Sequence, residues 1–213
     1  MKKKKRKGRG IMGRSDIPYA QRIGMQLQSD IVLNRDHAAK IAMYCLSVAM
    51  HEEEGVGYKR LIRFSYRHKT YIEEFYDDPE VGMAHAKRRL EQMGRPISGE
   101  LYTYEAEGQT KREQKIGNHR LQAVQIALIC GAIAMNDEFG FGQERQARIS
   151  EKANEYSDRY AKEGEQFLLD KMHEIGFLIV DGEAKACIDD DGNPISTKKW
   201  REHHGKNLPD LRV

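Results

Sequence analysis

The acidic residues of this chain include two short clusters that could hold a cation or receive a basic partner. His51-Glu52-Glu53-Glu54 runs into Gly55-Val56-Gly57, and Asn136-Asp137-Glu138 is followed one residue later by Gly140-Phe141-Gly142. Each glycine pair is followed by an arginine, Arg60 and Arg145. If the apolar stretches before the clusters are helices, these carboxylates crowd the helix end that already carries partial negative charge, an unfavourable placement that calls for a reason. In a structural reading, Glu53 pairs with Arg60 across the glycine turn or caps the next helix, and Glu138 does the same with Arg145. In a functional reading, the clusters form an acidic site for a metal or a basic partner.

A second carboxylate spacing bears on the same question. Glu74-Phe75-Tyr76-Asp77 and Glu155-Tyr156-Ser157-Asp158 each follow an acidic cluster by about twenty residues. They resemble half of the E-x-x-E and E-x-x-D pattern with which all-α nucleotide pyrophosphohydrolases hold magnesium, a hard ion that suits paired carboxylates and bridges phosphates. The other half is missing, since neither Glu52-Glu53-Glu54 nor Asp137-Glu138 supplies carboxylates at i and i+3. A magnesium-dependent pyrophosphohydrolase is therefore the alternative to a binding protein.

Other chemistry is harder to find. Asp189, Asp191 and Asn193 begin like a calcium loop, but Pro194 and Trp200 stand where the loop needs glycine and a carboxylate. The sequence has no P-loop, no H-E-x-x-H and no G-x-S-x-G. The eight histidines show no ligand spacing, and His203-His204 reads as a solvated pair. No catalytic residue, metal or cofactor is expected. Cys45, Cys130 and Cys187 are odd in number and scattered; with no export signal they read as reduced thiols, two of them on an apolar face.

Charge is distributed unevenly. Lys2, Lys3, Lys4, Lys5, Arg6, Lys7 and Arg9 place seven cations within residues 2–9, so the formal net charge of +3 hides a value of −4 for the remainder. Such a block repels itself. It suits phosphate backbones, or nuclear import in a nuclear setting, or serves only to solubilise. No apolar run approaches the ~20 residues that span a bilayer, so no membrane partner is expected.

These residues are set on a repeat. Residues 38–63 and 123–148 align without a gap and are identical at 11 of 26 positions. The shared residues include Ala38/Ala123, Ile41/Ile126, Ala42/Ala127, Cys45/Cys130, Ala49/Ala134, Glu53/Glu138, Gly55/Gly140, Gly57/Gly142, Arg60/Arg145 and Arg63/Arg148. The apolar ones recur at helical spacing and are mostly small, which permits close helix approach. Gly55 and Gly140 are placed to end those helices. A second helix follows in each copy, burying Leu61, Phe64, Ile72 and Phe75 in the first and Ile149, Ala153, Tyr156 and Tyr160 in the second. A third starts at Asp78-Pro79 or after Gly164 and stops at Gly94 or Gly176.

The expected fold is mainly α: tandem duplicated three-helix units packed with pseudo-twofold symmetry, followed by a small β-hairpin. The organisation reads as a basic arm and lead-in (1–30, with a short helix near Tyr19–Leu27), a first repeat (31–94), a linker (95–117), a second repeat (118–176), and a hairpin and polar tail (177–213). Leu101–Tyr104 looks strand-like, and Phe177–Val180 and Lys185–Ile188 should form the hairpin around Asp181-Gly182. The matched small-residue stripes should bring the Ala38–Met50 and Ala123–Met135 helices together.

Ala134-Met135-Asn136-Asp137-Glu138-Phe139-Gly140-Phe141-Gly142 resembles a stretch in small uncharacterised proteins of bacteriophages and mobile elements of Gram-positive bacteria. In those proteins an apolar helix ends in N-[DE]-E-x-G-x-G and a basic amphipathic helix follows. Tyr19–Gly24 and Tyr76–Gly82 share the likeness, which covers residues 15–177; the first copy departs from it with His51 and Glu54. The resemblance implies a phage or mobile-element origin, in a bacterial cytoplasm, and supplies no mechanism. The expectation is a non-catalytic accessory binding protein, acting on a host defence or replication factor, on nucleic acid through the arm, or on both. Self-association is open.

Overall fold

The computed structural model describes residues 19–94, 110–180, 183–187 and 202. The protein is mainly helical. In chain order its elements are α1 (Tyr19–Glu54), α2 (Tyr58–Asp77), α3 (Pro79–Gln92), α4 (Lys111–Phe139), α5 (Gln143–Glu163), α6 (Glu165–Glu174), β1 (Phe177–Val180) and β2 (Glu183–Ala186). None of the described helices is long and apolar enough to cross a membrane.

The helix boundaries follow local chemistry. Gly55 and Gly140 take left-handed backbone (φ 59° and 66°), which costs glycine nothing. The chain then closes back on each helix in the same way. Gly55 N–H donates to His51 C=O and Val56 N–H to Met50 C=O; Gly140 donates to Asn136 and Phe141 to Met135. Val56 and Phe141, between the two glycines of each turn, are buried against the helix they follow, the apolar contact that accompanies such a cap. Gly57 and Gly142 then start α2 and α5 in extended conformation. Asp78 caps α3, accepting from Val81 N–H, with Pro79 in the first turn.

Three boundaries differ from expectation. α1 is a single 36-residue helix, so the lead-in from Tyr19 is continuous with the first repeat. The stretch from Met25 to Glu54 contains no glycine or proline to interrupt it. α4 begins at Lys111, inside the expected linker, because Thr110 and Glu113 form a reciprocal capping box. β2 spans Glu183–Ala186 and not Lys185–Ile188; it pairs antiparallel with β1, from Phe177 opposite Ala186 to Val180 opposite Glu183. The basic arm, Leu101–Tyr104, Asp189–Trp200 and His203-His204 lie outside the described residues.

α1 and α4 lie against each other at the centre. The small-residue stripes meet there, and Leu46 of α1 sits over Gly131 of α4. The remaining helices are exchanged. α2 and α3 pack on α4, while α5 and α6 pack on α1. Phe75 of α2 joins Ile126 and Cys130, and Ala86 and Leu90 of α3 join Ile133. Ile149, Ala153 and Tyr156 of α5 and Leu168 and Met172 of α6 share the main core with Ile41, Cys45 and Ala49. The expected three-helix units therefore do not close on themselves: each outer pair lies chiefly on the first helix of the other segment.

Candidate functional site

The acidic helix ends are where the structure concentrates charge. Glu138, at the end of α4, accepts from Arg63 of α2 at 2.8 Å, with Arg67 at 3.6 Å. Glu54, at the end of α1, lies 2.5 Å from Arg148 and 3.6 Å from Arg145, both of α5. The side chains of Glu138 and Glu54 are only 12% and 11% exposed, far less than the arginines that cover them. A carboxylate so largely buried needs such partners.

The expected pairs, Glu53 with Arg60 and Glu138 with Arg145, do not form as predicted. Arg60 instead lies over the ring of Phe139, its guanidinium 4.7 Å from the ring centre, an attraction to the negative face of the ring. Arg145 lies near both Glu54 and the Phe141 ring. Glu53 is exposed. The reason is the exchange of helices: α2 crosses the end of α4 and α5 crosses the end of α1, so these arginines meet side chains at the other segment's helix end.

A second layer of contacts repeats the arrangement. Tyr71 of α2 donates to Asp137 of α4 at 2.5 Å, and Arg89 of α3 pairs with the same carboxylate. At the matched positions, the Tyr156 hydroxyl of α5 hydrogen-bonds Glu52 of α1; the cation beside Glu52 is Lys152 of α5, at 3.9 Å, which matches Arg67 and not Arg89. Burial, and then the carboxylate beside each hydroxyl, push both tyrosines above their usual value, so they remain donors.

The carboxylates of the half-motif are not gathered. Glu74 and Asp77 are exposed on α2, Glu74 lying 3.7 Å from His85. Glu155 and Asp158 are exposed on α5, Glu155 accepting from Lys152 at 2.8 Å. α2 and α5 lie against different central helices. Among the described residues no group of three or more His, Cys, Asp or Glu could hold a metal ion. The acids closest to a cluster, Glu54, Asp137 and Glu138, are each already matched by arginine. This donor set does not fit magnesium, which needs oxygen ligands free of competing cations.

Three buried polar residues escaped the sequence reading: Ser47, which donates to the Met43 carbonyl within α1, and two that reach beyond their own helix, His68 and Gln146. His68 is 2% exposed on α2, and its Nε2 lies 2.9 Å from the Ala127 carbonyl of α4. Gln146 of α5 donates from Nε2 to the Phe141 and Ala132 carbonyls at 2.8 and 3.1 Å, tying down the second glycine turn. Both sit at helical spacing with apolar neighbours, His68 with Leu61, Phe64 and Phe75 and Gln146 with Ile149 and Ala153. That spacing is the signal that could have placed them inside. Ile72 and Tyr160, expected inside, are only partly buried. The three cysteines are buried and form no disulfide. Burial pushes the Cys45 and Cys130 thiols up to about 12, which removes the thiolate that reactivity needs.

No protein-family model, curated protein or solved structure matches the chain.

Proposed function

We propose that this protein acts by binding and not by catalysis. In this reading a tandem duplication with pseudo-twofold symmetry builds the helical body, and the basic N-terminal arm contacts nucleic acid. The separation of charge carries the reading. Residues 2–9 hold seven cations while the remainder is net −4, and the helix-end acids of the body are taken up by its own arginines. The arm is then the most concentrated charge not balanced by neighbours in sequence, and polyphosphate backbones are the partners that such a block attracts.

The duplication accounts for the paired contacts. Tyr71–Asp137 and Tyr156–Glu52 occupy matched positions, as do the arginines that reach across the two glycine turns. A phage or mobile-element origin, a bacterial cytoplasmic setting and a host protein as second partner rest on the resemblance and on the mildly acidic body.

The test is a salt titration of binding to labelled duplex DNA and to RNA, with the full chain and with residues 2–9 deleted. Seven engaged cations would give a slope of log affinity against log salt approaching about −6 on duplex DNA. Deletion should flatten that slope and weaken binding. Unchanged affinity and slope after deletion would remove the arm from the proposal.

A further inference from the structure

A cavity of about 230 Å³ opens between α1, α4 and α5. Its apolar lining comes from Ile41, Ala42 and Cys45 of α1, Val124 of α4, and Ala153 and Ala161 of α5. Its polar edge is Arg120, Asn154, Ser157 and the hydrogen-bonded pair His37 and Tyr160, whose Nε2 and hydroxyl are 3.1 Å apart. No acidic side chain lines it.

The matched positions on the other side, 85 residues away in the ungapped alignment, are filled. There α2 places His68, Ile72 and Tyr76 where α5 has Ala153, Ser157 and Ala161. His68 is buried against Ala127, and Ile72 and Tyr76 pack with Phe75, Ile126 and Cys130. Arg35 lies over the Tyr76 ring, 4.4 Å from its centre. Arg120 matches Arg35, but Ala161 gives it no ring to cover, and its charge acts instead on the neighbouring Tyr160 hydroxyl. The same framework thus carries a closed side and an open one, and the open side keeps the cation.

We propose that this cavity binds a small organic monoanion: an apolar body seated on the alanine-rich lining, with its carboxylate against Arg120 and the neighbouring Ser157 and Asn154 side chains. A cavity somewhat below the ~300–1,000 Å³ of drug-sized sites suits a short aliphatic carboxylate. A guanidinium presents a fork of donors that fits a carboxylate with two parallel hydrogen bonds. The proposal uses the matched alignment of the two segments but is independent of nucleic-acid binding by the arm.

The experiment is calorimetric and NMR titration of the full chain with sodium octanoate, and with 1-octanol and octylamine as neutral and cationic controls. Octanoate should bind more tightly than either, shifting the resonances of Ala153 and Ala161. Ala161→Tyr rebuilds the closed side and should weaken octanoate at least about tenfold; Arg120→Gln should weaken it about tenfold, the loss expected for one charged hydrogen-bonded contact, and leave octanol unchanged. Circular dichroism checks the fold of each variant, and if A161Y is misfolded R120Q decides alone. No octanoate binding at concentrations below its self-association, equal binding of octanoate and octanol, or retention of full octanoate affinity in R120Q would overturn the proposal.

Discussion

Leu46 and Gly131 occupy the same position of the two aligned segments and meet each other at the centre of the body. A Cβ on Gly131 would come within 2.7 Å of Leu46 Cδ1, and Leu46 is 1% exposed. Under the proposed duplication, a residue at the crossing of α1 and α4 faces its own counterpart. Two leucines would collide and two glycines would leave a void; one of each fills the space.

That relationship predicts a coupled pair of substitutions. Gly131→Ala should lower stability by about 1–3 kcal/mol through overpacking, despite a gain of up to ~1 kcal/mol in helix propensity. Leu46→Ala alone should cost about 2–5 kcal/mol through the cavity it leaves. In the double variant the added methyl has room, so the costs should fall short of their sum by about 1 kcal/mol or more in urea unfolding. Strict additivity would contradict the contact.

The exchange of outer helices predicts interdependence of the two halves. A chain cut between residues 94 and 110 separates α1–α3 from α4–α6. Each half then lacks the helix on which its outer pair lies, so α2 and α3 lose Ile126, Cys130 and Ile133. Each half alone should show weak helicity and no dispersed NMR spectrum, and mixing the two should restore both. A first half that folds cooperatively as a monomer would refute the interlocked packing.

His68 predicts a pH dependence. Burial lowers its pKa, and the hydrogen bond to the Ala127 carbonyl offsets this only in part. The folded protein therefore keeps it neutral, while the unfolded chain takes up a proton near pH 6.5. The neutral group's contribution is fully present above about pH 6.5. It is lost as the pH falls from there toward the folded-state value, by at most about 1.4 kcal/mol per pH unit. Urea unfolding between pH 7.5 and 5 should lose more stability in the native sequence than in His68→Gln. An identical pH profile in both would mean that His68 is not the group responsible.

Cys45 and Cys130 predict slow thiol chemistry. With both thiols pushed up to about 12 by burial, an aromatic disulfide reagent at pH 8 should modify them only as fast as the core opens. Unfolding in urea should expose them at once. Rapid modification of either in the folded protein would show that the α1–α4 stripe is open to solvent.

Much of the helical framework could be read from the chain because it is decided locally. Gly55 and Gly140 end helices through their own backbone freedom, Asp78-Pro79 starts α3 through a cap and a fixed φ, and Gly164 separates α5 from α6. The alanine and cysteine stripes likewise announced that α1 and α4 would approach closely. The extent of α1 is not evident from its start, because the sequence from Tyr19 to Asp30 is mostly polar and reads as a lead-in, although no glycine or proline from Met25 to Glu54 breaks the helix.

Partner choice was a different matter. Glu138 has arginines close in sequence, at 145 and 148, and arginines far away, at 63 and 67; charge and spacing do not distinguish them. It pairs with the distant set because α2 crosses the end of α4. The same crossing puts Arg60 on Phe139, buries His68 on Ala127, and closes one side of the body with Tyr76 while Ala161 leaves the other open. By itself the sequence determined where helices begin and end and which stripes are apolar, since those depend on neighbours within a turn or two. Only the tertiary structure decided which helix meets which, because that is a property of the packed body and not of any one segment.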